Sequence, residues 1–156
     1  MLSPHYFNYP TPLGNITIAS NGTAITHIAF GTQRFPGEKK SSALTNKAST
    51  QILQYLAGKR KLFDIPFEAD GTEFHKRVWS EVLKIPYGQT YSYGQIAALI
   101  GNVKATRAVG MANNKNPLPL LIPCHRVIGA SGKPVGYVGG LKRKEFLLDL
   151  EKEHAH

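Results

Sequence analysis

The sequence predicts an α+β chain in two parts, a small sheet with a helix over residues 1–68 and a mostly helical part over 69–156. Three observations carry that expectation. An Asn-Gly pair sits between two β-rich runs near the N-terminus. From Thr72 onward the apolar residues recur at helical spacing, in segments punctuated by Gly and Pro. A length of 156 residues with 42% apolar content suffices for one ordinary domain or two small ones sharing an interface.

Taken in order, ITIAS and AITHIAF flank Asn21-Gly22, which predicts a hairpin closed by a type I′ turn, since both residues tolerate positive φ. Ser41 to Leu56 carries Leu44, Ala48, Ile52 and Leu56 at helical spacing and meets Gly58, a natural C′ residue. LFDIPF reads as a short strand ending at Pro66. TEFHKRVWSEVLKI then places Phe74, Val78, Val82 and Ile85 on one helical face, with Thr72 as N-cap and Pro86-Tyr87-Gly88 as the stop. Ser92 followed by Gln95 is a capping box for a helix that ends at Gly101, and a further helix starts near Lys104. Two short helices joined around GNV have the form of a helix-turn-helix, which is also a common packing unit. Residues 113–140 are rich in Gly, Pro and Asn yet contain the apolar run LPLLIPCHRVI, as a buried active-site segment does. LKRKEFLLDLEKE closes the chain as a helix with Leu141, Phe146, Leu147 and Leu150 in a stripe.

Charge and cysteine usage narrow the function. The net charge is +9, and between Glu81 and Glu145 there are nine Lys or Arg and no Asp or Glu. An acid-free span of that length attracts polyphosphate, so nucleic acid is the expected partner. A single cysteine excludes an internal disulfide framework, and the six scattered histidines show no metal-site spacing, so no metal and no cofactor are expected. The N-terminus lacks a signal-peptide pattern and no apolar run approaches a membrane span. A cytoplasmic protein is expected, or a nuclear one if the source is a eukaryote.

Pro123-Cys124-His125-Arg126-Val127 is where chemistry enters. A lone cysteine in an apolar run is ordinarily an inert core residue. An adjacent imidazole or cation changes that, because the thiolate is the nucleophile and such neighbours raise its fraction near neutral pH.

The segment from Ile85 to Glu151 resembles the C-terminal domain of the O6-alkylguanine-DNA alkyltransferases: IPCHRV stands with an upstream SY, a RAVG and a downstream GG. The likeness covers roughly residues 71–151, and the N-terminal part agrees in size and strand content. It implies a ribonuclease H-like N-terminal domain followed by a winged helix-turn-helix-like DNA-binding domain that carries the active site. It further implies that Cys124 accepts the alkyl group, that His125 draws off its proton through a water, that Glu151 orients the histidine and that Asn116 braces the turn. Tyr93 is implied as donor to the flipped guanine and Arg107 as the side chain that fills the space the base leaves. By the same resemblance Val127 and the loop Val135, Gly136, Tyr137, Val138 and Gly139 line the substrate pocket. Ser92, Gly94, Asn102, Ala105, Thr106, Ala108 and Gly110 meet the minor groove. Thr106 is bulkier than the alanine of the pattern, and Val138 replaces a serine of some relatives, removing a donor near O6. The zinc site of some relatives needs more cysteines than this chain has.

The expected partner is therefore duplex DNA containing O6-alkylguanine, with O4-alkylthymine as a further candidate, bound by a monomer whose cooperativity on DNA is left open. Two other readings stand beside it. A DNA-binding regulator would keep Cys124 as packing and transfer nothing. A multiple-turnover cysteine hydrolase would use the same nucleophile and base but leaves the basic span unexplained.

Overall fold

The computed structural model describes residues 3–132 and 136–155 and divides into two compact units, Met1–Asp70 and Gly71–His156. Among the described residues no helix is long and apolar enough to cross a membrane.

The first unit is a four-stranded sheet with one helix. Strands β1 (His5–Tyr9), β2 (Ile16–Ser20) and β3 (Ile25–Phe30) form an antiparallel meander, and the two-residue β4 (Glu38–Lys39) pairs parallel to β1, giving the order β3-β2-β1-β4. β2 is buried along its whole length because it pairs on both edges and carries Ile16 and Ile18 into the core. Helix α1 (Ala43–Leu56) packs on this sheet through Ala48, Ile52, Tyr55 and Leu56. Its start is fixed by a capping box in which Ser42 accepts from the Thr45 N–H while the Thr45 hydroxyl accepts from the Ser42 N–H.

Two local expectations are corrected here. The hairpin exists, but its connection spans residues 21–24 and only Gly22 has positive φ, so the turn is not type I′. Asn21 instead spends its side-chain carbonyl on the N–H groups of Thr23 and Ala24, the local turn that Asx residues favour. LFDIPF forms no strand. The buried Gln51 amide takes both backbone groups of Asp64, and only Phe67 makes an isolated parallel bridge to Ile25.

The second unit is mostly helical. Helix α2 (Glu73–Leu83) starts at Thr72, whose hydroxyl accepts from the His75 N–H. Its inward face is Val78, Trp79 and Val82, with Ile85 buried beyond its end; Phe74 is only partly covered and Trp79 takes the larger share of burial. Helix α3 (Tyr93–Leu99) is opened by the Ser92–Gln95 capping box and closed at Gly101, whose φ of +81° suits a residue without Cβ. A 3-10 turn over Val103–Ala105 leads into α4 (Thr106–Asn114), so α3 and α4 form the expected helix pair. A two-stranded parallel ladder joins β5 (Tyr91–Ser92) to β6 (Val127–Ile128). Helix α5 (Leu141–His154) closes the chain, but its inward face is not the expected stripe. Leu141 and Phe146 are 47% and 40% exposed, whereas Lys144, Leu147, Leu150 and Glu151 are buried. Two charges, Lys144 and Glu151, share the inward face with Leu147 and Leu150, because both find buried polar partners.

Candidate active site

The site is built on the chain between α4 and β6. Asn116 is 3% exposed and braces the loop from both ends: its Oδ1 accepts from the Leu118 N–H at 2.9 Å and its Nδ2 donates to the Ile122 carbonyl at 2.8 Å. Within that loop Leu120 is buried with φ of +78°, a left-handed conformation that costs a bulky residue about 1–3 kcal/mol and persists where surrounding contacts over-determine it. The loop delivers Cys124–Arg126 as a single 3-10 turn ahead of β6. The β5–β6 pairing sets Ser92 opposite Ile128 and thereby brings Tyr93, the first residue of α3, to the same side of the unit.

Cys124 is 1% exposed. Burial pushes its thiol up to about 11, although the Asn116 side chain and the Lys144 charge pull the other way. At neutral pH the sulfur is held as a thiol. His125 is fully buried, and its Nε2 lies 2.7 Å from Glu151 Oε2. A carboxylate at that distance requires the proton on Nε2 and makes Nδ1 the basic nitrogen. Burial lowers the His125 pKa, Glu151 raises it, and the Arg126 and Lys144 charges lower it further, so the ring rests neutral. Burial alone would raise the Glu151 carboxyl, but its hydrogen bonds with His125 and Arg126 hold it well below the usual carboxylate range.

Arg126 is the partner that sequence reasoning missed. Its Nε and Nη2 donate to the two Glu151 oxygens at 2.8 and 2.9 Å, and its Nη1 donates to the Ile85 carbonyl at 2.7 Å. The Gly88 N–H donates to Glu151 Oε1 at 3.1 Å. Lys144 was also missed. Its ammonium donates to the Val127 carbonyl at 2.6 Å and the Gly136 carbonyl at 2.9 Å and lies 5.8 Å from the Tyr93 ring centre. Desolvation lowers it to about 8, opposed by the Cys124 sulfur. The motif showed Arg126 beside the histidine, and the charged positions at helical spacing 144 and 151 were the only sign that α5 turns polar groups inward.

The other expected site residues divide by position. Val127 is wholly buried in β6. Tyr137 is half-buried, and burial holds its phenol well above the ordinary value. Gly136 is exposed and Gly139 buried, with the Gly139 carbonyl accepting from Arg143; Val138 is 47% exposed. Val135 lies outside the described residues. On the helix pair, Gly94, Asn102, Thr106, Arg107 and Ala108 are exposed, Ser92 and Gly110 partly covered and Ala105 buried. An open hollow of about 680 Å³ is lined by Tyr93, Lys104, Thr106, Arg107 and Gly110 and bounded by Gly136. Among the described residues no group of three His, Cys, Asp or Glu side chains is placed to hold a metal ion.

The fold and site together define a helix-turn-helix protein with an enclosed thiol beside a neutral histidine, a buried Arg-Glu pair and a cation-lined hollow. Residues 73–153 match the DNA-binding domain of 6-O-methylguanine DNA methyltransferase and residues 5–69 its ribonuclease-like domain, so the chain belongs to the 6-O-methylguanine DNA methyltransferase family. It is similar to the methylated-DNA--protein-cysteine methyltransferase of Methanosarcina acetivorans, 45% identical over 94% of this chain and 97% of the relative. The Mycobacterium tuberculosis protein of that name is 43% identical over 97% of this chain and 94% of its own. The crystal structure of Mycobacterium tuberculosis OGT in complex with DNA superposes with a TM-score of 0.90 at 44% identity, covering 96% of this chain and 94% of that one.

Proposed function

We propose that this chain repairs duplex DNA by moving an alkyl group from O6-alkylguanine to Cys124, once per protein molecule. The observation that carries the reading is the enclosed Cys124 next to His125, whose ring is fixed 2.7 Å from Glu151, in a unit that presents a helix pair to solvent. A base inside a duplex stack must be turned out before a protein side chain reaches O6, at a cost of roughly a few kcal/mol. Arg107, exposed at the start of α4, takes the space the base leaves. Ser92, Gly94, Asn102, Thr106, Ala108 and Gly110 form the surface along the minor groove, with Ala105 buried beneath it, and Tyr93 with Val127 and residues 136–139 forms the base pocket.

The thiol proton passes through a water to His125 Nδ1, and Glu151 stabilises the imidazolium that results. The sulfur then bonds to the alkyl carbon as the carbon–O6 bond breaks, its electron pair passing to the purine. Tyr93 donates to the purine and offsets that charge. Water does not displace a thioether, so the protein is consumed. The partner is duplex DNA carrying the lesion, the acting species is a monomer, residues 69–156 carry binding and transfer, and residues 1–68 are structural. The names of the similar proteins and the DNA complex of the Mycobacterium tuberculosis OGT support this reading.

Intact mass after exposure to O6-benzylguanine tests it. One added benzyl per chain, absent in Cys124→Ala, is the expected result. An unmodified chain would support the regulator reading, and free product beyond one equivalent would support a hydrolase.

A further inference from the structure

We propose that Arg126 is a positioning residue of alkyl transfer: its guanidinium locks the Glu151 carboxylate onto His125 and offsets the carboxylate's charge, so that the ring meets the thiol as a neutral base. The inference rests on the reading just given and goes beyond it by adding a fourth member behind the cysteine, the histidine and the glutamate.

Arg126 follows His125 in the 3-10 turn and is buried. Its planar fork meets the carboxylate edge on, with Nε donating to Oε1 at 2.8 Å and Nη2 to Oε2 at 2.9 Å. Nη1 donates to the Ile85 carbonyl at 2.7 Å, and the guanidinium carbon lies 5.6 Å from the Tyr87 ring centre. Ile85, Tyr87 and Gly88 belong to one turn after α2, and the Gly88 N–H adds a further donor to Oε1. That turn is packed tightly against the end of α5: Gly88 has a φ of +82°, and a Cβ on it would stand 2.7 Å from the Ala155 Cβ. The carboxylate is thus held in its plane from two directions. Oε2 is left 2.7 Å from His125 Nε2, and the ring is oriented by a group that cannot rotate away.

Charge adds to geometry. The charged groups that bear on the His125 ring are Glu151 and Lys144 from α5 and Arg126 from its own turn. Burial raises the phenols of Tyr87 and Tyr137 and the Cys124 thiol, so these neighbours are uncharged near neutral pH. Glu151 by itself would draw a proton onto His125 and store it there as imidazolium, which accepts no second proton. Arg126 cancels that pull, and Lys144 leaves the cluster with one positive charge in excess. The excess opposes imidazolium in the resting site and favours the thiolate once the proton has moved from Sγ to Nδ1. Burying an ion pair adds little net stability, because desolvation offsets the attraction, so the fold alone gives little reason for an Arg126–Glu151 pair at this depth.

The rate of benzyl transfer from free O6-benzylguanine as a function of pH tests this without involving duplex docking, using full chains checked for folding by circular dichroism. Arg126→Gln and Arg126→Met remove the charge, and the acid limb of their rate profile is expected about one pH unit above that of the unaltered chain. Arg126→Lys keeps the charge and loses the fork. Its limb is expected to coincide with that of the unaltered chain while its plateau rate falls about tenfold. A merely structural arginine would lower the melting temperature in all three variants and move no limb. A neutral variant whose limb stays in place overturns the inference, as does a lysine variant whose plateau lies within about twofold of the unaltered chain. The lysine chain retains a cation for Glu151, so it decides the matter where the neutral chains do not fold. An unaltered chain that takes up no benzyl group sinks the alkyl-transfer reading and this one with it.

Discussion

Glu151 gathers donors from His125, Arg126 and Gly88 in the interior, and this makes the site sensitive to acid in two ways. His125 has a lowered pKa in the folded chain, so below its ordinary value of 6.5 the unfolded chain binds a proton that the folded chain refuses. Stability therefore falls as pH drops below about 6.5. Glu151 has a depressed pKa; its contribution is complete above the ordinary carboxylate value and is lost only as pH falls further, through the depressed one. Thermal melts from pH 7.5 to 5 are expected to show a loss that begins near 6.5, with a slope of at most about 1.4 kcal/mol per pH unit for one group. His125→Asn should flatten the upper part of that curve. An unchanged slope in the variant would remove His125 as its source. In the proposed reaction Cys124, pushed up to about 11, is stored as a thiol and becomes a nucleophile only when a base takes its proton.

At the scale of elements, α4 serves two masters. Gly110 sits in its middle, where alanine would favour the helix by about 1 kcal/mol, and a Cβ there meets Tyr93 only at ordinary contact distance. Gly110→Ala is thus expected to raise the melting temperature by about 2–4 °C and, on the proposed docking, to weaken duplex binding, because the added methyl enters the hollow that Gly110 lines. A lower melting temperature would show that the Tyr93 packing does not yield. Elements set by short-range chemistry were legible in the sequence. The Ser92–Gln95 box, the Thr72 cap and the Gly101 stop each rest on residues within one turn of each other. The β5–β6 ladder was not legible, since Tyr91 and Val127 are brought together only by the fold. The polar face of α5 failed for a related reason: periodicity sorts apolar from polar, and Lys144 and Glu151 are buried by partners far away in the chain. Of the site, Cys124, His125, Tyr93 and Glu151 came from a motif, whereas Arg126 and Lys144 are visible only through their contacts.

For the whole molecule, the charge excess needs reapportioning. Two of the nine cations in the acid-free span, Arg126 and Lys144, face inward and neutralise the site rather than attract phosphate. Those exposed around α4 include Lys104, Arg107 and Lys115. Duplex affinity should therefore fall with salt, and Lys104→Ala should reduce the slope of log K against log salt by about 1. A slope that this change leaves intact would place that side chain away from phosphate. The placement of Lys144 and Glu151 on α5 also orders events in time. Cys124 precedes Glu151 by 27 residues, so a growing chain exposes its sulfur to the cell before the histidine has its carboxylate. Competence is acquired only once α5 has docked, and a ribosome stalled before that point holds an ordinary cysteine.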